Sequence, residues 1–319
     1  MVELTVWDLA EQFGVPVDEL LSVCSGLSKG PVAGLEYSVL PDQPGKVGKL
    51  LREIDEGRRQ ASLAPTATMV AQGYDQDWSR RESLLRNTGN LAYTSLRDTE
   101  IMRDPAGNRV LRLMGRYVLA DVRFESRWFG ILREWVARSY LAQYPLIIEF
   151  GTGGGENLVA ISSIFPDKHF IGLDRSPASA SMVSYLGEML NLDIVGGVWD
   201  MERPSDTSFM WSLGNAAVLT VNALEQLGTG WEPFFDYLVE SGPGIIVHIE
   251  PIIEWYDPEN LFDVVAIHGH RSSRYLNGYV RRVMELEQKG RAEIIKAKRT
   301  HMGPRNQDSY GVLVWRPCG

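Results

Sequence analysis

The chain is poor in several features that would narrow its chemistry quickly. It has only two cysteines, Cys24 and Cys318, among 319 residues. They match neither a metal-ligand spacing nor a disulfide framework. No apolar run approaches the roughly 18 residues needed to span a membrane. No basic cluster stands out, and the net charge is -9, which weighs against a nucleic-acid partner. The opening segment, "MVELTVWDLAEQFG", is acidic and amphipathic, unlike a signal or transit peptide. There is no internal repeat and no low-complexity tract. What is left is an ordinary globular mix, 44% hydrophobic and 23% charged. The length suits one large domain or two smaller ones, and the cytoplasm is the default compartment.

Three regions can be read along the chain. Residues 1 to about 60 read as short helices joined by the connecting stretches "GVPVDEL" and "GLSKGPVAGLEY". Residues from about 61 to 142 are rich in arginine and aromatics, as in "YDQDWSRRESLLRNTGNLAY", and end in the helical pattern "DVRFESRWFGILREWVARSYL". From about 143 onward, strand-like runs alternate with helical stretches: "LIIEF", "HFIGLD", "DIVGGVWD", "AAVLTVN" and "GIIVHIEP". That alternation predicts strand–helix units and a mostly parallel sheet. The last two runs, "AEIIKAKR" and "YGVLVWRP", are joined by too short a segment for a helical crossover, so they should form an antiparallel hairpin. The expected fold is α/β: a Rossmann-like, mostly parallel seven-stranded sheet over 143–319, preceded by a mainly helical cap over 1–142. The cap would cover an acceptor pocket or join two subunits as a homodimer. The first segment superficially looks like a helix-turn-helix, but its acidity opposes DNA contact.

The stretch "LIIEFGTGGGENLVAI", residues 146–161, carries the strongest signal. A buried strand leads into a glycine-dense turn and then a helix, the place where a ligand lies in open α/β sheets. A dinucleotide fingerprint would need a third glycine at 156, where Glu156 stands. A glutamate opening the helix would repel a pyrophosphate. A ligand with an amino group and no phosphate suits the loop better. The next strand ends at Asp174, 23 residues beyond Gly151, where an acid can take two ribose hydroxyls. The third strand ends at Trp199 and Asp200, a ring and an acceptor suited to adenine.

On "EFGTGGG", "GLDRS", "VWD", "TVNALEQLG" and the terminal hairpin, the chain resembles the class I S-adenosylmethionine-dependent methyltransferases over roughly 143–319. The resemblance implies S-adenosylmethionine as cofactor. It implies that Gly151, Thr152, Gly153 and Gly155 approach the methionine part. Asp174 with Arg175 would hold the ribose side, Trp199 and Asp200 the adenine, and Asn222 would lie beside the sulfonium. Glu149 would orient the amino group through the loop. The run of three glycines at 153–155 is more than the pattern requires. A looser resemblance, on "AIHGHRSSRYL", is to bacterial methyltransferases of sugars and specialised metabolites.

Methyl transfer needs a nucleophile in line with the methyl and a group to take its proton. Glu225, His248 and Glu250 stand just beyond strands four and five, and His248 and Glu250 share a strand face. These are the expected catalytic residues. Tyr93, Glu254, His270 and Arg274 are expected to meet the substrate, a small polar amino acid, amine, guanidine or sugar. No metal is expected. His248, Glu250, His268 and His270 are the set to weigh for one, with "HGH" read as a loop. Two other readings stay open: a cofactor-binding regulatory module without turnover, and an NAD-dependent oxidoreductase.

Overall fold

The computed structural model describes residues 1–61, 67–204 and 213–318. The chain opens with β1 (Val2–Thr5), α1 (Val6–Phe13), α2 (Val17–Val23) and β2 (Pro31–Val39). Helices α3 (Gln43–Ala61), α4 (Ala67–Thr88) and α5 (Leu96–Arg103) follow, then β3 (Asn108–Leu113), β4 (Arg116–Asp121) and α6 (Phe124–Val136). The region before 143 is therefore mainly helical, but it also contributes four strands that sequence reasoning did not foresee. One was signalled. Met114 and Gly115, both with positive φ, make the two-residue turn of the β3–β4 hairpin, the left-handed pair such a turn requires.

The second part alternates as expected: β5 (Leu146–Phe150), α7 (Glu156–Ile164), β6 (His169–Asp174), α8 (Pro177–Leu190) and β7 (Ile194–Val198). Then come β8 (Ala216–Val221), α9 (Glu232–Ser241), β9 (Ile245–Glu250), α10 (Leu261–Ser273) and α11 (Tyr279–Gln288). The chain closes with β10 (Ala292–Lys298), β11 (Met302–Pro304) and β12 (Gly311–Pro317). The seven-stranded sheet runs β10-β12-β9-β8-β5-β6-β7. Strands β5 to β9 are parallel, while β12 is antiparallel to both neighbours. Strands β8 and β9 are buried along their whole length, as central parallel strands with both faces covered must be.

The connection inside the terminal hairpin does more than turn. Its strand β11 pairs antiparallel with β3 and completes a second sheet, β1-β2-β4-β3-β11. The two parts are thus stitched together. Their cores are also shared: Phe13, Trp128 and Trp135 of the first part cluster with Ile147, Val247 and Val312 of the second. The other sheet face packs Phe235, Tyr279 and Trp315. A buried ion network closes the seam. Arg112 on β3 donates to Asp308 (2.8 Å) and Asp263 (3.3 Å), and Arg299 donates to the same two acids.

Candidate active site

The sheet order reverses at β5: the chain goes first to β6 and β7 on one side, then to β8 and β9 on the other. The carboxyl ends of strands diverge at such a point, which opens a crevice. Here it is a cavity of about 370 Å³, within the range of small-molecule sites. One side lies over the β5–β7 ends, with Gly151, Thr152, Gly153, Asp174, Arg175, Trp199 and Asp200 on its wall. The other receives Asn222 and Ala223 from the β8 end, Arg97 and Arg109 from the first part of the chain, and Ser309 and Tyr310 from the terminal excursion. Helix α4 lies across the glycine turn with Tyr74 and Trp78.

The glycines answer to two different neighbours. Gly153 has φ +53, and a Cβ there would sit 2.9 Å from the Trp78 ring. Its N–H donates to Asp174 Oδ2 at 3.0 Å. Gly154, the glycine in excess of the expected pattern, faces the first part of the chain. A Cβ there would fall 1.9 Å from the Thr94 carbonyl oxygen. The extra glycine lets α7 and its turn seat against the Leu91–Thr94 turn. Gly155 caps α7 and packs against Val183 and Leu186 of α8, so it shapes the turn from behind and does not line the cavity.

Asp174 accepts from Gly153 N–H and, through Oδ1, from Ser176 N–H at 2.9 Å. Burial raises its carboxyl above the usual range, and those two backbone donors oppose the rise. Each oxygen keeps a lone pair for a ligand. Asn222 holds a left-handed backbone, φ +49, and its Oδ1 is buried with no hydrogen-bond partner among the described residues, a costly state unless a ligand satisfies it. Asp200 lines the wall and accepts from Glu202 N–H at 3.0 Å. Trp199 sits edge-on to Phe150 at 4.8 Å. Arg175 stands on the same wall, 3.8 Å from Glu202.

Glu149 lies beneath the turn, fully buried. It accepts from Thr152 Oγ1 (3.0 Å) and Asn157 Nδ2 (2.8 Å), and burial pushes its carboxyl up to about 8. It reaches the cavity only through those two residues. Glu156, which reads in isolation as a bar to phosphate, is ion-paired with Arg97, so its charge is compensated.

The expected catalytic and substrate residues are placed elsewhere. His248 is buried under α11: Thr220 Oγ1 bonds Nδ1 at 2.8 Å, and Tyr279 OH bonds Nε2 at 2.9 Å. Burial drives its pKa down to about 3. Glu250 is turned under the residues after β8 and accepts from Ala223 and Leu224 N–H, each at 3.1 Å. Glu225 is buried beside it, and burial together with the Glu250 charge raises its carboxyl. They lie off the cavity wall for a physical reason: on a strand covered on both faces, sharing a face does not mean facing a crevice at the strand end. Glu254 accepts from Gly278 and Val280 N–H at the start of α11. His268 and His270 lie on α10, not on a loop. His270 packs edge-on to Tyr256 and Tyr275, and Arg274 caps that helix. Tyr93 packs against the α4–α8 contact, leaving its neighbour Thr94 on the cavity wall.

Among the wall residues that escaped sequence reasoning, four form one cluster: Arg97, Arg109, Glu125 and Tyr310. Tyr310 OH donates to Glu125 Oε1 at 2.7 Å. Arg109 reaches Glu125 Oε2 at 3.4 Å, and Arg97 donates to Tyr310 OH at 3.3 Å. The Arg97 guanidinium also covers the Phe129 ring at 4.4 Å. The only forewarning was the arginine and aromatic enrichment before residue 143. The partners are 185 and 213 residues apart, which no spacing rule reaches.

No family model matches the chain, and no curated protein matches it. Among solved structures it is similar to the [4+2]-cyclase SpnF, with 14% identity and a TM-score of 0.48 over 80% of this chain and 98% of that one. It is also similar to NcsB1, an O-methyltransferase from neocarzinostatin biosynthesis, with 14% identity and 0.40 over 76% and 69%. A third is the methyltransferase domain of bacterial CtHen1, with 15% identity and 0.43 over 59% and 97%.

Proposed function

We propose that this chain binds S-adenosylmethionine over the β5–β7 strand ends and transfers its methyl group to a nitrogen or oxygen of a small polar molecule. The observation that carries the reading is a joint one. Asp174 keeps two accepting oxygens at the end of β6, and the buried Asn222 Oδ1 lacks a partner among the described residues at the end of β8, within one cavity. A cofactor with vicinal ribose hydroxyls and an amino group satisfies both. Asp174 would hold the ribose, Asp200 and Trp199 the adenine, and Asn222 the region of the sulfonium and amino group. Thr152, steadied by Glu149, would orient the methionine part. The cofactor supplies an activated methyl on sulfur, so the hard chemistry is its own. The chain's task is to seat the acceptor in line and to keep water away. Trp78 and Tyr74 of α4 cover the turn, and Arg97, Glu125 and Tyr310 close the opposite wall.

A screen with methyl-labelled S-adenosylmethionine against alcohols, phenols, amines, amino acids and sugars tests the activity. Labelled product from at least one class is the expected result. Tight cofactor binding with transfer to none of them would favour a regulatory module. Binding of NAD in its place would favour an oxidoreductase.

A further inference from the structure

The wall opposite the glycine turn is built for one kind of acceptor. It lies toward β8, β9 and β12, away from the β6 and β7 ends proposed for the nucleoside. Tyr310 precedes β12, and its neighbour Gly311 pairs with Glu250 at the end of β9. The phenol therefore stands at the carboxyl edge of the sheet, on the acceptor side. Its ring is clamped by Phe129, stacked at 5.0 Å, and by Trp128 at 5.4 Å. Its hydroxyl donates to Glu125 and takes a hydrogen bond from Arg97. Tyr310 and Glu125 line the cavity while being almost fully buried.

The charges of this wall cancel. Arg97 pairs with Glu156, and Arg109 with Glu125. A cationic amine entering here would meet carboxylates already engaged by guanidinium groups, and its desolvation would go uncompensated. An anion would meet guanidinium groups already engaged by carboxylates. A neutral nucleophile fits. Resting on the reading above, we infer that the acceptor is a neutral, hydroxyl-bearing small molecule and that Tyr310 relays its proton to Glu125. In that step the acceptor oxygen forms a bond to the methyl carbon, and the carbon–sulfur bond breaks with its electron pair going to sulfur. The hydroxyl proton passes to the Tyr310 oxygen as the Tyr310 proton passes to Glu125 Oε1. Tyr310 is the catalytic residue, and Glu125 acts through it. Burial, with the Glu125 carboxylate alongside, raises the phenol's pKa well above its ordinary value, so it is protonated and able to donate at rest.

The test is steady-state kinetics on the full chain with alcohol and phenol acceptors, comparing wild type, Tyr310→Phe and Glu125→Gln. Tyr310→Phe keeps the stacked ring, and binding of S-adenosylhomocysteine reports that each variant is folded. Removing a positioned proton acceptor typically lowers kcat by about 100- to 10,000-fold, and here KM and cofactor affinity should stay within about twofold. The loss should shrink as the acceptor hydroxyl becomes more acidic, because a neutral but acidic phenol depends less on the relay than an alcohol does. Transfer to amines but not to hydroxyl compounds would overturn the inference. So would undiminished kcat in both variants, or cofactor binding with transfer to no hydroxyl compound. Failure of the wild-type chain to bind S-adenosylhomocysteine removes the underlying reading and this one with it.

Discussion

The two walls of the cavity are made of different material. The wall over β5–β7 is largely backbone: glycine turns, strand ends and one acid with each oxygen held by an N–H group. The opposite wall is made of side chains from α5, β3, α6 and the approach to β12, held by mutual ion pairs. Backbone that must approach a ligand or another chain segment closely constrains residue type at fixed intervals, because only glycine fits. Side-chain pairs across distant segments carry no such spacing. One wall is therefore written locally in the sequence and the other is not.

The largest effect should come from separating the walls. A chain starting at residue 143 loses β3, Arg112 and half of a shared core. It should expose apolar surface and aggregate. Size-exclusion chromatography decides this, and a soluble monomer that still turns over would mean the first part is dispensable. Next comes Arg112→Met, which leaves Asp263 and Asp308 buried with Arg299 as their remaining arginine. Breaking a buried ion network of this kind costs about 3–5 kcal/mol, to be read from urea unfolding. A change below about 1 kcal/mol would mean the seam is not held by charge. Gly154→Ala comes third. Its Cβ would meet the Thr94 carbonyl, and forced overpacking costs about 1–3 kcal/mol. The same substitution at Gly115, where a Cβ meets nothing within 4 Å, strains only its left-handed backbone, by about 1 kcal/mol.

The effect that is smallest at neutral pH concerns His248, and it grows only as the pH falls. Its pKa is about 3 in the fold against 6.5 ordinarily. Between those values the unfolded chain binds a proton that the native chain refuses. Stability is therefore full above about 6.5 and falls as the pH drops toward 3, by at most about 1.4 kcal/mol per pH unit. Glu149 has the opposite sign, since an acid raised to about 8 loses its contribution as the pH rises through 8. Subtracting the His248→Gln profile from that of wild type isolates the histidine. The difference should slope below pH 6.5, with kcat at neutral pH little changed. A large loss of kcat would restore His248 to the chemistry.

The parallel sheet, its strand ends and the terminal hairpin were legible because each rests on a local rule: buried apolar runs, glycine turns and a connection too short for a helix. Asp174, Asp200 and Asn222 came with them, as strand-end residues must. Gly154 was visible but unexplained until Thr94 was placed against it. His248 and Glu250 were read from strand periodicity, which gives the face but not the neighbour across it; those neighbours turned out to be Tyr279 and the turn after β8. Strand β1 was read as helix because it is four residues long and adjoins the helical residues 6–13, and β2 as a connection because it opens on proline and carries Gly34. Tyr310, Glu125 and Arg97 meet only in three dimensions.

The claim on which the rest depends is that Asp174 holds a ribose. Calorimetric titration of S-adenosylhomocysteine into the wild-type chain and Asp174→Ala tests it most directly. Losing a charge-assisted pair of hydrogen bonds should weaken binding by about 2–4 kcal/mol, roughly 30- to 900-fold, with the fold intact by circular dichroism. Equal affinity in the two proteins, or no binding by the wild type, would contradict it.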